Sequence, residues 1–237
     1  NSVITSNITD DNVTYGKIQN VSATDRILGR DSSGAGVIEE ITPANLRTML
    51  NVANGANVGG GQFEFVSRAT VTSDVAQVVF TNLAANTYHK FVLQGIDSDN
   101  NGGEDFCFQL STDNGSNYLT ATNYRWNYFQ SYSSGNTNCT ASNSSNKICM
   151  FDGFHTSDID EGIFGEVMLN HVGNGQKPMA FWQGANVADS TNKLRSSNGA
   201  GFYESGVSIN AIKFFFDTGD INNGAYTFIT HYKGIIS

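Results

Sequence analysis

Four acidic side chains between positions 158 and 166 are the residues that most resemble catalytic machinery. They are Asp158, Asp160, Glu161 and Glu166, and paired carboxylates carry out glycoside hydrolysis. The first three form a solvated loop cluster, whereas Glu166 falls on the outward face of a predicted strand. Because no spacing fixes two of them at a catalytic separation, the sequence predicts a protein that is not an enzyme.

A second acidic segment matches the first half of a calcium-binding loop. Asp97, Asp99 and Asn101 follow the order of EF-hand ligands, but Phe108 stands where the bidentate glutamate belongs. The carboxylates at 104–105 offer other oxygens. A solvated turn between two strands is the favoured interpretation and calcium the alternative, so no metal or cofactor is predicted.

The histidines predict no metal site either. His89, His155, His171 and His231 are widely separated in the sequence, and neither an H-x-H nor an HExxH spacing is present. Each is therefore interpreted as an ordinary strand or loop residue.

Alternating aromatic residues predict a binding surface instead. Tyr124, Trp126 and Tyr128 share one parity along a predicted strand, so their rings lie on one face. Sugars stack on aromatic rings and exchange hydrogen bonds with Asn, Asp and Gln side chains, which are all present. We predict these three residues as a receptor-binding surface, with packing in a core or subunit interface as the alternative.

The composition excludes two classes of partner. The chain of 237 residues has a formal net charge of -9, which opposes binding to nucleic acids and adhesion to acidic membranes. No apolar run approaches the length of a membrane span. Abundant Gly, Asn, Ser and Thr together with many aromatic residues favour turn-rich β structure. The chain begins at Asn1 rather than Met, and we expect a fragment, a processed product or the ordered part of a longer polypeptide.

The three cysteines are too few for a disulfide framework. Cys107 lies in a strand-like apolar run and is predicted to be a buried thiol. Cys139 and Cys149 flank a polar Ser/Asn segment, and the sequence leaves open whether they are bridged.

Residues 16–54 form a distinct hairpin-plus-short-helix module. Two short strands, 27–30 and 37–41, flank a Gly/Ser turn, and Thr42 and Pro43 then begin a helix of about two turns. So small a module buries too little apolar surface to be stable alone, and it is predicted to pack against copies of itself or a larger body. The predicted contact residues are Ile27, Leu28, Ile38, Leu46, Met49 and Leu50.

This module resembles the collar-like segment that recurs in tail fibres and other appendage proteins of bacteriophages. The likeness rests on residues 20–41, NVSATDRILGRDSSGAGVIEEI, followed by a short helix and the LNVANGAN stretch at 50–57. It covers about a sixth of the chain. The resemblance implies a virion structural protein, usually a trimer.

The remainder, from residue 62 onward, is predicted to be all β. Short runs of alternating apolar residues are separated by turn formers, with almost no helix signal, which is typical of a jelly-roll β-sandwich. Residues 91–118 and 209–235 also resemble phage domains, whereas residues 123–198, where we expect variation, do not.

Two apolar runs near the end of the sequence, 207–216 and 225–232, are predicted to form a long closing hairpin. The loop between them is rich in Asp, Asn and Gly, which favours a turn. The parity of apolar residues slips within the first run, and either a bulge near Ala211 or burial on both faces would explain the slip.

Together these features predict an all-β protein in four parts: an extended N-terminal arm (1–15), a trimerising collar (16–54), a Gly/Asn linker (55–61) and a jelly-roll head (62–237). The predicted function is that of a bacteriophage virion structural protein, a tail fibre or similar appendage. It would assemble in the host cytoplasm, lie on the particle surface and attach to host-surface glycan as a homotrimer. Its expected partners are itself, other virion proteins and the glycan. The alternative is a capsid-decorating or head-fibre protein without receptor binding.

Overall fold

The structure is a computed structural model, and the chain divides into two compact units, Asn1–Gly60 and Gly61–Ser237. The division falls within the predicted Gly/Asn linker. That linker and the predicted N-terminal arm lie outside the described residues. The structure describes residues 20–51, 63–100, 103–154, 162–170, 172–188, 193–224 and 226–234.

The first unit contains a hairpin and a helix, as the sequence predicts. Strands β1 (Ile27–Gly29) and β2 (Glu39–Ile41) pair antiparallel, and helix α1 (Pro43–Met49) follows directly. The Thr42 hydroxyl oxygen accepts a hydrogen bond from the backbone N–H of Asn45 (3.2 Å) and so caps the helix. Within the described ranges, no helix has the length and apolar character that a membrane crossing needs.

Twelve described strands make up the second unit, and they form two antiparallel sheets. In chain order they are β3 (Phe63–Thr70), β4 (Val78–Phe80), β5 (His89–Ile96), β6 (Glu104–Ser111), β7 (Tyr124–Tyr132), β8 (Thr137–Ser145), β9 (Ile148–Phe154), β10 (Ile163–Asn170), β11 (Met179–Ala188), β12 (Lys193–Tyr203), β13 (Ala211–Phe216) and β14 (Phe228–Gly234).

Eight of these strands have the order of a jelly roll. The large sheet begins β3-β14-β5-β10, and the small sheet is β4-β13-β6-β9, so the chain passes repeatedly between two facing sheets. The prediction of an all-β, jelly-roll-type β-sandwich is confirmed. Two further hairpins, β7–β8 and β11–β12, extend the large sheet beyond β10 in the order β11-β12-β7-β8.

The predicted closing hairpin is wrong. β13 lies in the small sheet between β4 and β6, and β14 lies in the large sheet between β3 and β5. The loop between them crosses the sandwich, and its Ile221 makes isolated bridges to Val75 and Ser98. The parity slip needs no bulge, because the strand begins only at Ala211. Local turn formers predicted a hairpin, but each run finds its partners in distant strands.

The core lies between the two sheets. Phe91 and Ile229 from the large sheet and Phe106, Phe108 and Phe214 from the small sheet are all fully buried. The rings of Phe91 and Phe214 meet across the sandwich with their centroids 5.2 Å apart. Burial of such side chains contributes about 1.5–3 kcal/mol each, which holds the two sheets together and fixes which face of each strand is outward.

Candidate functional site

Arg30 holds the turn of the collar hairpin. Its guanidinium donates to the carbonyl oxygens of Gly34 (2.9 Å) and Val37 (3.1 Å) and to Glu39 Oε1 (2.7 Å). Hydrogen bonds from Ser32 lower the pKa of Glu39, so this carboxylate stays charged beside the guanidinium. The turn is thus held by polar contacts rather than by an apolar core.

The predicted contact residues of the collar are open in the single chain. Ile38 is 75% exposed and Leu50 is 63% exposed, and helix α1 has no buried residue. Among the described residues of this unit, Ile41 is the one buried apolar side chain. Exposed apolar surface is typical of an association site, and its coverage by other copies stays a prediction. The six residues, each exposed or half-buried, are Ile27, Leu28, Ile38, Leu46, Met49 and Leu50.

The predicted aromatic receptor surface is wrong for two of its three residues. Tyr124 and Tyr128 share one face of β7, as their parity predicts, but both are buried because β9 packs across that face. Their hydroxyl groups have protein partners: Tyr124 accepts from the N–H of Leu110 (2.9 Å), and Tyr128 donates to Asp152 Oδ2 (2.9 Å). These rings therefore belong to the core.

Trp126 differs from its two neighbours because it lies near the end of β7 and is only half-buried. Its ring stacks on Tyr128 at 5.5 Å between centroids, and its Nε1–H donates to the carbonyl of Lys147 (3.1 Å). Residue 126 also borders an open groove of about 710 Å³ on the opposite, outer face of β7, away from its own ring. The remaining polar and aromatic lining comprises Arg125, Asn127, Ser142, Asn143 and Phe202.

This groove has the chemistry that suits a sugar. It combines the Phe202 ring with amide groups and a hydroxyl, which offer both donors and acceptors at an open surface. Its guanidinium, on Arg125, pairs with Glu204 at 2.8 Å, so the groove has little net charge of its own. Sequence parity selected Trp126, whose ring lies on the other face. It could not reveal the groove, because the contributions of β8 and β12 depend on pairings between distant strands.

The inner face of β7 also carries a buried polar network centred on Asp152. This carboxylate accepts hydrogen bonds from Tyr128 (2.9 Å), Gln130 Nε2 (2.8 Å) and Arg195 Nη1 (3.3 Å). Burial raises the pKa of Tyr128, and the adjacent Asp152 charge adds to the effect. The network ties β9 to β7 and β12, and all three donors already have partners, so it is structural.

The predicted carboxylate cluster does not form a catalytic pair among the described residues. Asp158, Asp160 and Glu161 lie outside them. Glu166 lies on the outer face of β10, as predicted, where it forms an ion pair with Lys90 and accepts from Gln183 Nε2 (2.9 Å). The bond from Lys90 lowers the pKa of Glu166, which suits an ion pair and not a general acid.

The acidic turn after β5 satisfies its carboxylates with backbone N–H groups. Asp97 Oδ1 accepts from Ser98 (2.9 Å), and Asp99 Oδ1 accepts from Asp220 (2.7 Å). Asn101, the third predicted ligand, lies outside the described residues. Within the described part of the chain, no group of three or more His, Cys, Asp or Glu side chains is placed to hold a metal ion.

The cysteines are all free thiols. Cys107 is buried, as predicted, and Cys149 lies directly opposite it on β9. Cys139 is exposed on β8, so the bridge between Cys139 and Cys149 that the sequence left open is not formed. Burial raises the pKa of the Cys107 thiol well above its usual value, which makes it unreactive.

Two histidines that are far apart in sequence meet in the core. His89 Nδ1 lies 2.8 Å from His231 Nε2, and His89 Nε2 lies 2.9 Å from the carbonyl oxygen of Ala84. Because that oxygen only accepts, His89 donates to it. Burial lowers the pKa of both rings, which favours the neutral forms, with His89 Nδ1 accepting from His231. Both are strand residues, as predicted, but no local pattern reveals that they meet. His155 and His171 lie outside the described residues.

The comparisons with known proteins identify no relative of this chain. Searches of protein-family models, of curated proteins and of solved structures find no significant match to the chain.

Proposed function

We propose that this chain is a structural protein of a bacteriophage appendage, which assembles into a trimer through its collar and attaches to host-surface glycan. The observation that carries the proposal is the exposed apolar surface of the collar. The resemblance of residues 20–41 to phage collar segments supports it. The protein would lie on the particle surface, in contact with its own copies and other virion proteins.

Assembly follows from what the collar lacks. A hairpin of two three-residue strands and a seven-residue helix provides almost no core, and its largest apolar side chains face outward. Closed symmetry lets each copy cover the apolar side of the next without leaving an open end. Three identical chains would then shelter surface that one chain leaves in water.

Placing charge on this surface tests the assembly. The double variant Ile38→Glu/Leu50→Glu is expected to weaken trimer formation, because each carboxylate would lose water on association without gaining a partner. Sedimentation equilibrium of the full chain measures the change in the association constant. Ser33→Glu, in the exposed turn of the same hairpin, is the control and should leave the association constant unchanged. An association constant of the double variant equal to that of the wild type would remove the collar from the interface.

Attachment is assigned to the groove beside Trp126. Stacking on the Phe202 ring and hydrogen bonds to Asn127 and Asn143 would give one weak site per chain. Three such sites on one particle raise the overall affinity without any new contact. Trp126 borders this groove, but its ring lies on the other face of β7, so the proposal keeps none of the three predicted aromatic rings.

Removing the ring tests this assignment. Phe202→Ala is expected to weaken binding of the full chain to host cells by at least about tenfold, the usual loss for an aromatic residue central to an interface. Phe129→Ala, which removes an exposed aromatic ring outside the groove lining, is the control. Binding by neither the wild type nor the variants would favour the decorating protein without a receptor. Equal losses in both variants would place the site elsewhere.

A further inference from the structure

The outer face of the large sheet carries an apolar row that runs across all eight strands. The register of paired strands places one residue from each strand side by side, in an unbroken line from β3 to β8. We call this line the transverse row. Its members in order are Phe65, Tyr232, Lys90, Met168, Phe181, Ala200, Asn127 and Ala141.

Large apolar side chains on and beside this row are open to solvent. Phe65, Phe181 and Met179 each expose about half of their surface, and Phe164 exposes more. At about 200 Å² for a full side chain, these four expose roughly 400 Å² of apolar surface in total on this face.

An apolar recess deepens the middle of the row. A cavity of about 450 Å³ opens between β10 and β11, where a side chain from another molecule could insert. Interfaces bury their central aromatic residues in such recesses. Its principal lining residues are Phe63, Tyr88, Met168, Met179 and Phe181.

The row is also nearly neutral, although the chain has a formal net charge of -9. Lys90 is its one ionisable cation, and Glu166 on the adjacent strand forms an ion pair with it. Copies of an acidic chain repel one another, so a contact between them is favoured where charge is neutralised and apolar area is large. A basic partner would instead need unpaired carboxylates, which this row does not supply.

We propose that a second copy of this chain docks on the apolar half of the transverse row, from Phe65 to Phe181, so that the head itself forms a contact between copies in addition to the collar. The end of the row at Asn127 and Ala141 then stays open as part of the groove. The choice of a second copy rests on the proposed function, in which identical chains are held together. The patch supplies about half of the roughly 800 Å² that each partner buries in a standard interface, and the surrounding neutral Asn, Gln and Ser side chains of the face supply the rim.

Two glutamate substitutions test the contact in the full chain. Phe181→Glu and Met168→Glu are each expected to weaken self-association about a hundredfold, the size expected for an unpaired charge in an interface core. Phe129→Glu is the matched control, because Phe129 is 45% exposed on the same face, against 46% for Phe181, but lies outside the row. Sedimentation equilibrium gives the association constants, and circular dichroism confirms that each variant is folded.

The outcomes separate this contact from the proposed function. Unchanged association in Phe181→Glu and Met168→Glu, together with dissociation by the collar variant, would overturn the docking surface and leave the collar assembly standing. Equal weakening by Phe129→Glu would also overturn it. A wild-type chain that stays single, while Phe181→Glu reduces host-cell binding, would assign the face to a host or virion partner of different sequence. If Phe181→Glu does not fold, the association constant of Met168→Glu alone tests the docking surface.

Discussion

Replacing Trp182 by alanine is expected to lower the free energy of unfolding by about 3–5 kcal/mol, the range for removing a buried Trp or Phe side chain. Trp182 is fully buried on β11. Its ring occupies the space that Gly199 leaves on β12, where an added Cβ would lie 2.3 Å from Trp182 Cζ2 and 2.6 Å from Tyr128 Cβ. No neighbouring side chain fills this space when the indole is removed.

The loss of stability in Trp182→Ala should come from the cavity that the indole leaves, because no buried polar group loses all of its hydrogen bonds. Trp182 Nε1–H donates to the carbonyl of Met150 (3.1 Å), which also accepts from Ser197 Oγ (2.9 Å). That carbonyl therefore keeps one hydrogen bond in the variant. The hairpin β11–β12 would lose one of its contacts with β9, because the indole bonds to Met150 on that strand. The bonds of Ser197 and Arg195 to β9 would remain.

Trp126→Ala is the control for this prediction, because it removes the same ring from a half-buried position. It should cost less than about 2 kcal/mol, since solvent fills most of the space that it vacates. Denaturant unfolding measures the free energy of unfolding of both variants. The signal is far-UV circular dichroism of the backbone, because each variant lacks one tryptophan. Equal losses in the two variants would contradict the packing described for Trp182.

Lowering the pH from 7 to 5 is expected to remove about 2 kcal/mol from the free energy of unfolding, as a consequence of the His89–His231 pair. Burial, with smaller contributions from the positive charges of His89 and Lys233, lowers the pKa of His231 from 6.5 to about 4. Burial likewise lowers the pKa of His89. Above about pH 6.5 both folded and unfolded chains hold neutral imidazoles, so stability does not change there.

Between pH 6.5 and 4 the two imidazoles bind protons in the unfolded chain but not in the folded core. The free energy of unfolding therefore decreases as the pH falls. Carboxylates with lowered pKa values, such as Glu166 and Asp113, act in a separate range. Their stabilising effect is present above about pH 4.5 and is lost only below it. The window from pH 7 to 5 therefore reports mainly on the histidines.

The double variant His89→Gln/His231→Phe is the control for the pH effect. Glutamine can still donate to Ala84, and phenylalanine keeps the stacking on Phe91, whose centroid lies 4.8 Å from that of His231. Urea unfolding at pH 7, 6 and 5 should give a nearly constant free energy for this variant. A wild-type profile that is equally flat would show that the pair titrates normally in the folded chain.

The limits of the sequence prediction follow from the difference between local and distant contacts. Local patterns predicted the helix cap at Thr42, the strand pairing of the collar and the alternation along β7 correctly. They could not show which face of β7 is covered, because β9 supplies the cover from outside that segment. Tyr124 and Tyr128 were therefore predicted as exposed when they are core residues.

The same reason explains the closing segment and the buried polar pairs. β13 and β14 each look like half of a hairpin, but their partners are strands far away in sequence. His89 meets His231, and Cys107 meets Cys149, only because of the jelly-roll order of the strands. The periodicity and spacing of residues in the sequence do not reveal the order of the strands in the sheets.

The central position of β14 determines when the head can be completed during synthesis. β14 fills the gap between β3 and β5, and Arg68 and Thr230, which hydrogen bond across it at 3.1 Å, are 162 positions apart. Until the ribosome has released the residues of β14, two neighbouring edges in the large sheet stay unpaired and open to aggregation. The head therefore closes only once β14 is available, and its long-range pairings favour slow refolding.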